Sequence, residues 1–485
     1  MRRTAVAVLA AVLLGCPGAT WAAEQARTIA FTNYTNGTTI RYPVPLIRGT
    51  LADKSLTKVT VVNASSRRDT RRMTAQAYRG RFVALAELVP GPNKLLFQAG
   101  KANRKLTITY KPQTNPYVVR VFYMVDKTGD TTFQTQIAND PQDYKGKLAT
   151  AMLLMQTFTA ERMNDLGYGR VTFNLEFDKS GKVWVHTLRG EHDRAYYHGR
   201  SGNQLWAYSA KLIRRRMHNP KARNLVIPAF SWFDAKTRRT LAHTALGGGA
   251  HAFFGGANIF TWPDSLGQVQ KAFSNTTRID RTKFQDDSVG RSTFWGAAST
   301  TMGAALHEIG HTFGLPHSSQ LHDIMTRGHD RLNRVFTLVE PPHARRKGPY
   351  EFKAGEVAMW HPTSAEWLRH TRWLALDARE YDERNGIRIT ADNKAGRIRI
   401  VAPRGIAAIV LGVPTRAVLP VGIQTSKGIP SDIMLNPATL PKPLQVKDLI
   451  VRVINTHGLG KSVVVKRSVL GAKDPGKKEA PKTAQ

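Results

Sequence analysis

The chain has 485 residues, of which 41% are hydrophobic and 22% charged, and its formal net charge is +36. This length predicts two to four domains, and 9 Trp with 8% aromatic residues exclude wholesale disorder and collagen-like structure. The one cysteine, Cys16, excludes an intrachain disulfide framework, and the excess of basic residues indicates either anionic partners or a lineage with basic proteins.

The first 22 residues have the pattern of an export signal. Arg2 and Arg3 precede the apolar run Ala5–Leu14, which is too short to span a bilayer, and Ala22 suits the residue before a cleavage site. A lipid-anchored alternative uses Cys16 in a sequence resembling a bacterial lipoprotein box. Either route predicts an exported protein, periplasmic or secreted, and argues against a nucleic-acid partner. No later stretch is apolar enough for a transmembrane helix.

Residues 27–112 have the sequence pattern of a small β module. Short apolar runs alternate with turn signals at a spacing typical of an immunoglobulin-like sandwich. The predicted strands are Thr28–Phe31, Lys58–Val62, Phe82–Leu88, Lys94–Gln98 and Leu106–Tyr110. The Pro-containing segment 111–116 is the predicted linker to the next domain.

Residues 117–378 mix both kinds of periodicity and are predicted as one α/β domain. Helices are expected at Leu148–Leu166, Gln204–Met217, Thr300–Phe313 and Ser364–Leu376. Strands are expected at Tyr117–Val125, Val171–Phe177, Val183–Leu188 and Leu225–Phe230, followed by a glycine-rich β segment at Ala245–Trp262. That segment lacks the Lys-Ser/Thr of a phosphate loop. Residues 263–298 are predicted to be mostly loop.

The C-terminal part returns to short β runs. Residues 381–470 are predicted as a second sandwich-like β module, and the Lys-rich segment 471–485 as a disordered tail. The predicted fold class is therefore α+β and multidomain, with a central α/β domain between two β modules.

The sequence at 307–317, HEIGHTFGLPH, carries the chemistry. His307 and His311 are four residues apart on a predicted helix, so both project from one face at a spacing that suits one metal ion. Gly314 stands where the helix ends and permits a sharp left-handed turn, which returns His317 as a third ligand. Three imidazoles with one open position describe a single catalytic Zn²⁺, with Glu308 beside it as general base.

This stretch resembles the metzincin signature H-E-x-x-H-x-x-G-x-x-H. The resemblance implies a metzincin-like zinc peptidase domain, and it gives Met325, eight residues after His317, the role of a methionine turn beneath the metal. Together with the segments Met155–Glu161 and Gly167–Arg170, the chain over about 40–375 is similar to a family of zinc metallopeptidases found in fungi and bacteria.

Two further implications come from the same resemblance. The metzincin edge strand that pairs with an extended substrate is assigned to the segment Ala245–Phe254, and within it to Gly249, Ala250, His251 and Ala252. Some metzincins place a Tyr two residues after the turn methionine, and this chain has Arg327 there.

The predicted function is that of an exported zinc endopeptidase acting on protein or peptide substrates. Two alternatives remain open at this stage: a zinc amidase acting on cell-wall or glycopeptide material, and a non-catalytic scaffold binding an anionic envelope polymer. Glu308 argues against the scaffold, which has no need of a base.

Overall fold

The computed structural model describes residues 28–392, 396–414, 416–421, 428–445 and 448–466. The predicted signal segment 1–22 with Cys16 and the predicted tail 471–485 lie outside these ranges. Within them, no helix combines the length and apolar character that crossing a bilayer requires.

The N-terminal part forms one eight-stranded sheet. Its strands are β1 (Ile29–Phe31), β2 (Thr38–Ile40), β3 (Leu46–Leu51), β4 (Lys58–Asn63), β5 (Arg72–Tyr78), β6 (Arg81–Leu85), β7 (Gly91–Ala99) and β8 (Ala102–Tyr110). They lie in the order β1-β3-β6-β5-β4-β7-β8-β2. The five predicted runs all contain strands, but β2, β3 and β5 were not predicted because polar residues interrupt each of them. The sandwich arrangement of this module stays a prediction.

The central sheet is mostly parallel. It contains β9 (Val118–Val125), β10 (Asn174–Leu175), β11 (Val185–Arg189), β12 (Ala222–Pro228), β15 (Ala245–Gly248) and β16 (His251–Phe254), while β13 (Trp232–Asp234) and β14 (Arg239–Leu241) form a separate hairpin. The order is β10-β9-β12-β16-β15, with β11 also on β9. Only β15 runs antiparallel to its neighbour, β16. The predicted single β segment at 245–262 is thus a hairpin followed by a short 3-10 turn.

Seven helices accompany these sheets over the described residues up to 368. They are α1 (Tyr144–Asp165), α2 (Arg194–His198), α3 (Gly202–Arg216), α4 (Val269–Ala272), α5 (Phe294–Thr312), α6 (Asn333–Phe336) and α7 (Pro362–Leu368). α5 begins six residues before the predicted start, where the Thr293 side chain accepts a hydrogen bond from the Gly296 N–H. Its first turns are buried on every side, so no apolar stripe marked them.

The C-terminal part contains two small antiparallel sheets. Its strands are β17 (Arg388–Asp392), β18 (Arg397–Val401), β19 (Ile406–Val413), β20 (Arg416–Val421), β21 (Asp432–Leu435), β22 (Leu449–Asn455) and β23 (Gly460–Val465), with a helix α8 at Lys442–Gln445. β17, β18 and β21 form one sheet; the other has the order β20-β19-β22-β23. The structure is therefore a mixed α/β protein with several sheets.

Candidate metal centre

Three imidazoles meet at the end of α5. His307 and His311 lie one turn apart on the helix, and their Nε2 atoms are 3.1 Å from each other. His317 returns to them after the turn, so that one nitrogen from each ring lies within 4.8 Å of the other two. Among the described residues, this is the group of three potential ligands that converges on one point.

The return of the chain depends on Gly314. Its φ is +87°, in the left-handed region that glycine adopts without strain. The Leu315 N–H donates to the Gly310 carbonyl at 3.1 Å, which closes the turn just after the helix. His317 follows three residues after Gly314, within reach of the two helical histidines.

Backbone carbonyls orient the two helical imidazoles. His307 Nδ1 lies 2.7 Å from the Ile324 carbonyl oxygen, and His311 Nδ1 lies 2.8 Å from that of Leu315. These contacts place the proton on Nδ1 and leave Nε2 as the free donor atom for a metal. Burial also lowers the pKa of His307 to about 3 and lowers that of His311, so both rings are neutral at pH 7.

This donor set fits zinc. Neutral imidazoles are zinc ligands, and three protein ligands leave a fourth position open, as in catalytic rather than structural sites. The 3.1 Å between His307 and His311 nitrogens is close to the roughly 3.3 Å expected for two nitrogens that share a tetrahedral zinc ion.

Met325 lies directly beneath the helix. It is fully buried, and its sulfur occupies the space beside Gly310, where a Cβ would come within 2.5 Å of it. The buried carboxyl of Asp323 accepts from the Met325 N–H at 3.2 Å and from the Ser364 hydroxyl at 2.9 Å, which fixes the turn. The sequence analysis did not single out Gly310 or Asp323. Their positions next to His311 and two residues before Met325 were the available signal.

Glu308 follows His307 directly on α5 and is only 6% exposed. Burial raises the pKa of its carboxyl to about 7. A cation held by the neighbouring imidazoles would lower that pKa again. Among the described residues, no ion pair engages this carboxylate, so it is available to accept a proton.

Strand β15 crosses α5 at Glu308. A Cβ on Gly247 would lie 2.2 Å from the Glu308 carbonyl oxygen and 2.9 Å from its Cα, so the close approach requires glycine. β15 is also the last strand of the central sheet, with β16 on one side. No other described strand pairs with its second edge.

Within the predicted substrate segment Ala245–Phe254, the four residues Gly249–Ala252 do not offer a free strand edge. β16 pairs with β12 through His251–Phe253 and with β15 through His251–Phe254, so neither of its edges can accept another strand. Gly249, with φ +56°, and Ala250 form the turn between β15 and β16. The free edge belongs to β15, four residues earlier in the chain.

Replacing Gly247 with Ala is expected to destabilise the protein by about 1–3 kcal/mol, because the new methyl group meets backbone atoms of Glu308. Gly248→Ala is the matched control, since a Cβ there has no neighbour within 4 Å. Urea unfolding of both variants measures the difference in stability. Equal stability of the two variants would show that β15 does not pack tightly against α5 at Gly247.

His251 is a core residue. Its Nε2 lies 2.8 Å from the Ser209 hydroxyl on α3, and burial lowers its pKa to about 3. The unfolded chain, with a His pKa near 6.5, binds the proton first as pH falls, so this residue removes stability below pH 6.5.

The stability lost between pH 7.5 and 5.0 is expected to be about 2 kcal/mol smaller in His251→Gln than in the wild type. Urea unfolding of both proteins in chelator, so that the ligand histidines contribute equally, measures this difference. The exposed His218→Gln is the control and should follow the wild type. If the stability of His251→Gln depended on pH as that of the wild type does, the buried neutral ring of His251 would not be the cause of the stability loss at low pH.

Comparisons with known proteins come from sequence and from structure. A family model described as "Putative peptidase family" matches residues 28–401. A "putative zinc metalloproteinase" of Schizosaccharomyces pombe is 29% identical over 304 residues, which are 58% of this chain and 49% of that protein. One of Saccharomyces cerevisiae is 27% identical over 299 residues, 53% and 42% of the two chains. The chain thus spans less than half the length of these relatives.

Similar solved structures are more distant. OgpA from Akkermansia muciniphila, in complex with an O-glycopeptide, is 15% identical with a TM-score of 0.45, covering 73% of this chain and 92% of that one. Archaemetzincin from Methanopyrus kandleri is 12% identical with a TM-score of 0.23, covering 52% and 93%.

Proposed function

Because the chain belongs to the peptidase family whose model matches residues 28–401, we propose that it is a zinc-dependent endopeptidase with a metzincin-like catalytic domain. Zinc is its cofactor, in agreement with the names of both relatives and with the three imidazoles. One observation carries the proposal: the rings of His307, His311 and His317 converge at the end of α5, next to Glu308, a buried carboxylate with no ion-pair partner among the described residues.

The residues divide the reaction among them. His307, His311 and His317 would hold the zinc ion, which supplies a Lewis acid for the scissile carbonyl and for the attacking water. Glu308 accepts the proton of that water and passes it to the leaving amine. The free edge of β15 offers backbone N–H and C=O groups to a substrate in extended conformation. Met325 packs under the helix that carries two of the ligands.

The test is cleavage of a proteome-derived peptide library by the full chain, with zinc, after chelation, and after zinc is restored. Purified cell wall and glycopeptides are assayed in parallel. Zinc-dependent peptide cleavage supports the endopeptidase, and the cut sites report the specificity pocket. Release of cell-wall or glycopeptide fragments alone would replace it with a zinc amidase. No turnover of any substrate by the zinc-loaded protein would favour the scaffold.

The predicted export signal at residues 1–22 supports a periplasmic or secreted location. The basic residues support contact with an anionic envelope polymer, since 71 Lys and Arg stand against 35 Asp and Glu. Intact mass of the protein from cell fractions tests the location. A mass of residues 23–485 indicates ordinary cleavage, a lipid on Cys16 indicates anchoring, and the full-length mass contradicts export.

A further inference from the structure

At the C-terminal end of α5, side chains from distant parts of the chain donate hydrogen bonds to a cluster of backbone carbonyls. The last carbonyls of a helix have no partner within it and need donors from elsewhere. The Arg223 Nε–H donates to the Thr312 carbonyl at 2.8 Å, and the Trp367 Nε1–H donates to that of Phe313 at 2.8 Å. The Arg452 guanidinium donates to the carbonyl of Gly314, the turn residue between two ligands.

Arg452 belongs to β22, in the sheet β20-β19-β22-β23. That sheet packs against α7, and Arg452 reaches from it to the turn that follows α5. The Arg452 guanidinium lies 5.0 Å from the ring centroid of Trp367, and a Cβ on Gly460 of β23 would come within 2.5 Å of the same ring. The Trp367 ring therefore lies between the C-terminal sheet and the turn at Gly314, which its Nε1 approaches closely.

The charge of Arg452 has no described acidic partner. The described ion pairs do not include it, and burial lowers its pKa to about 10. A buried guanidinium without a carboxylate is unfavourable unless other groups compensate it. Here the negative end of the α5 dipole and the Gly314 carbonyl provide that compensation.

One peptide unit transmits this contact to the ligands. The unit between Gly314 and Leu315 is held on both sides, because Arg452 binds its carbonyl and its N–H donates to the Gly310 carbonyl at 3.1 Å. The next carbonyl, that of Leu315, is the group that orients His311 Nδ1 at 2.8 Å. His317 follows two residues later.

We propose that the C-terminal sheet is part of the metal centre, with Arg452 as a positioning residue that fixes the Gly314–Leu315 peptide and hence the orientation of His311 and His317. The family model ends at residue 401, so this contribution comes from beyond the matched region. The proposal rests on the zinc site of the proposed function but not on peptide hydrolysis.

The experiment compares zinc affinity in the full chain, measured by competition with a chromogenic chelator. Arg452→Met removes the donor and keeps the bulk, and is expected to weaken zinc binding about 10–100-fold, the usual effect of losing a group that orients a ligand. Arg452→Lys keeps a charged donor and is expected to rescue most of the affinity. If Arg452→Met does not fold, Arg452→Gln takes its place.

Arg372→Met is the matched control. Arg372 is also buried, and its Nε–H donates to the His457 carbonyl at 3.2 Å, so it joins the same C-terminal segment to the catalytic region. The described contacts of Arg372 do not include any residue of the segment 311–317, which carries two of the three ligands. Its loss should lower stability while zinc affinity stays within about twofold of the wild type.

Two results would overturn the proposal: wild-type zinc affinity in Arg452→Met, or an equal loss of affinity in Arg372→Met, which would show that any loosening of the interface has the same effect. Where peptides are cleaved, excess zinc should restore most of kcat in Arg452→Met. Absence of cleavage by the wild type would refute the peptidase while leaving the zinc comparison valid.

Discussion

Replacing Glu308 with Gln is expected to lower kcat/KM for peptide cleavage by about 10²–10⁴-fold while the protein retains one equivalent of zinc. The amide keeps the shape of the side chain but cannot accept the proton of the attacking water. Cleavage rates and the zinc content of the purified variant, measured on the same sample, check both parts. Gln also removes a buried carboxyl whose pKa lies near 7, so the variant should unfold no more easily than the wild type.

A matched substitution separates the base from its surroundings. Glu340 is another buried glutamate of the same region, but it pairs with Arg334 at 2.8 Å, away from the three histidines. Glu340→Gln is expected to lower stability and to leave kcat of the folded protein near that of the wild type. Retention of wild-type activity by Glu308→Gln would exclude this residue as the base.

Replacing Glu161 with Ala is expected to lower the free energy of unfolding by about 3–5 kcal/mol, the usual result of removing one partner from a buried ion pair. The side chain is fully buried on α1. It accepts hydrogen bonds from the hydroxyls of Tyr34 at 2.6 Å and Tyr42 at 2.7 Å, and from Arg170 Nε at 3.1 Å. Burial raises the pKa of both tyrosines, so their hydroxyls stay protonated and donate.

Urea unfolding measures this loss. Glu351→Ala is the control, because Glu351 also joins the N-terminal sheet to the central region, through Arg79 and Arg81, but does so at the surface. Its loss is expected to change stability by less than about 1 kcal/mol. Similar losses of stability in the two variants would mean that burial does not strengthen the contacts of Glu161 with Tyr34, Tyr42 and Arg170, which we call the Glu161 cluster.

The Glu161 cluster also explains a match between sequence and fold. Met155–Glu161 and Gly167–Arg170 were singled out by resemblance alone, with no role for any side chain. In the structure, Glu161 and Arg170 bind residues of the loop between β1 and β2, so they hold the N-terminal sheet against α1. The partners lie 119 to 137 positions apart in the sequence, and spacing along the chain cannot reveal such a pairing.

What the sequence could predict was local. The i, i+4 spacing of His307 and His311 and the glycine at 314 follow from helix geometry, and the structure brings these residues together with His317. The start of α5 was missed because Ala, Gly, Ser and Thr dominate it and every face is buried.

What could not be predicted was non-local. The sequence could not show which part of Ala245–Phe254 has a free edge, because that depends on which strands pair. β12 pairs with β16 through Asn224 and His251, which are 27 residues apart. Arg452 contacts Gly314 across 138 residues of sequence, and nothing near either residue signals the contact.

The packing of Met325 against Gly310 has a consequence for how such proteins are found. The Met325 sulfur lies where a side chain at the second variable position of H-E-x-x-H would begin, so a residue larger than glycine there requires the methionine side chain to shift. A search pattern for this kind of centre should therefore read H-E-x-G-H-x-x-G-x-x-H, with Met eight residues after the last histidine. A chain with a larger residue in place of that inner glycine must place the methionine side chain differently or pack another side chain beneath the helix, even where the rest of its motif is the same.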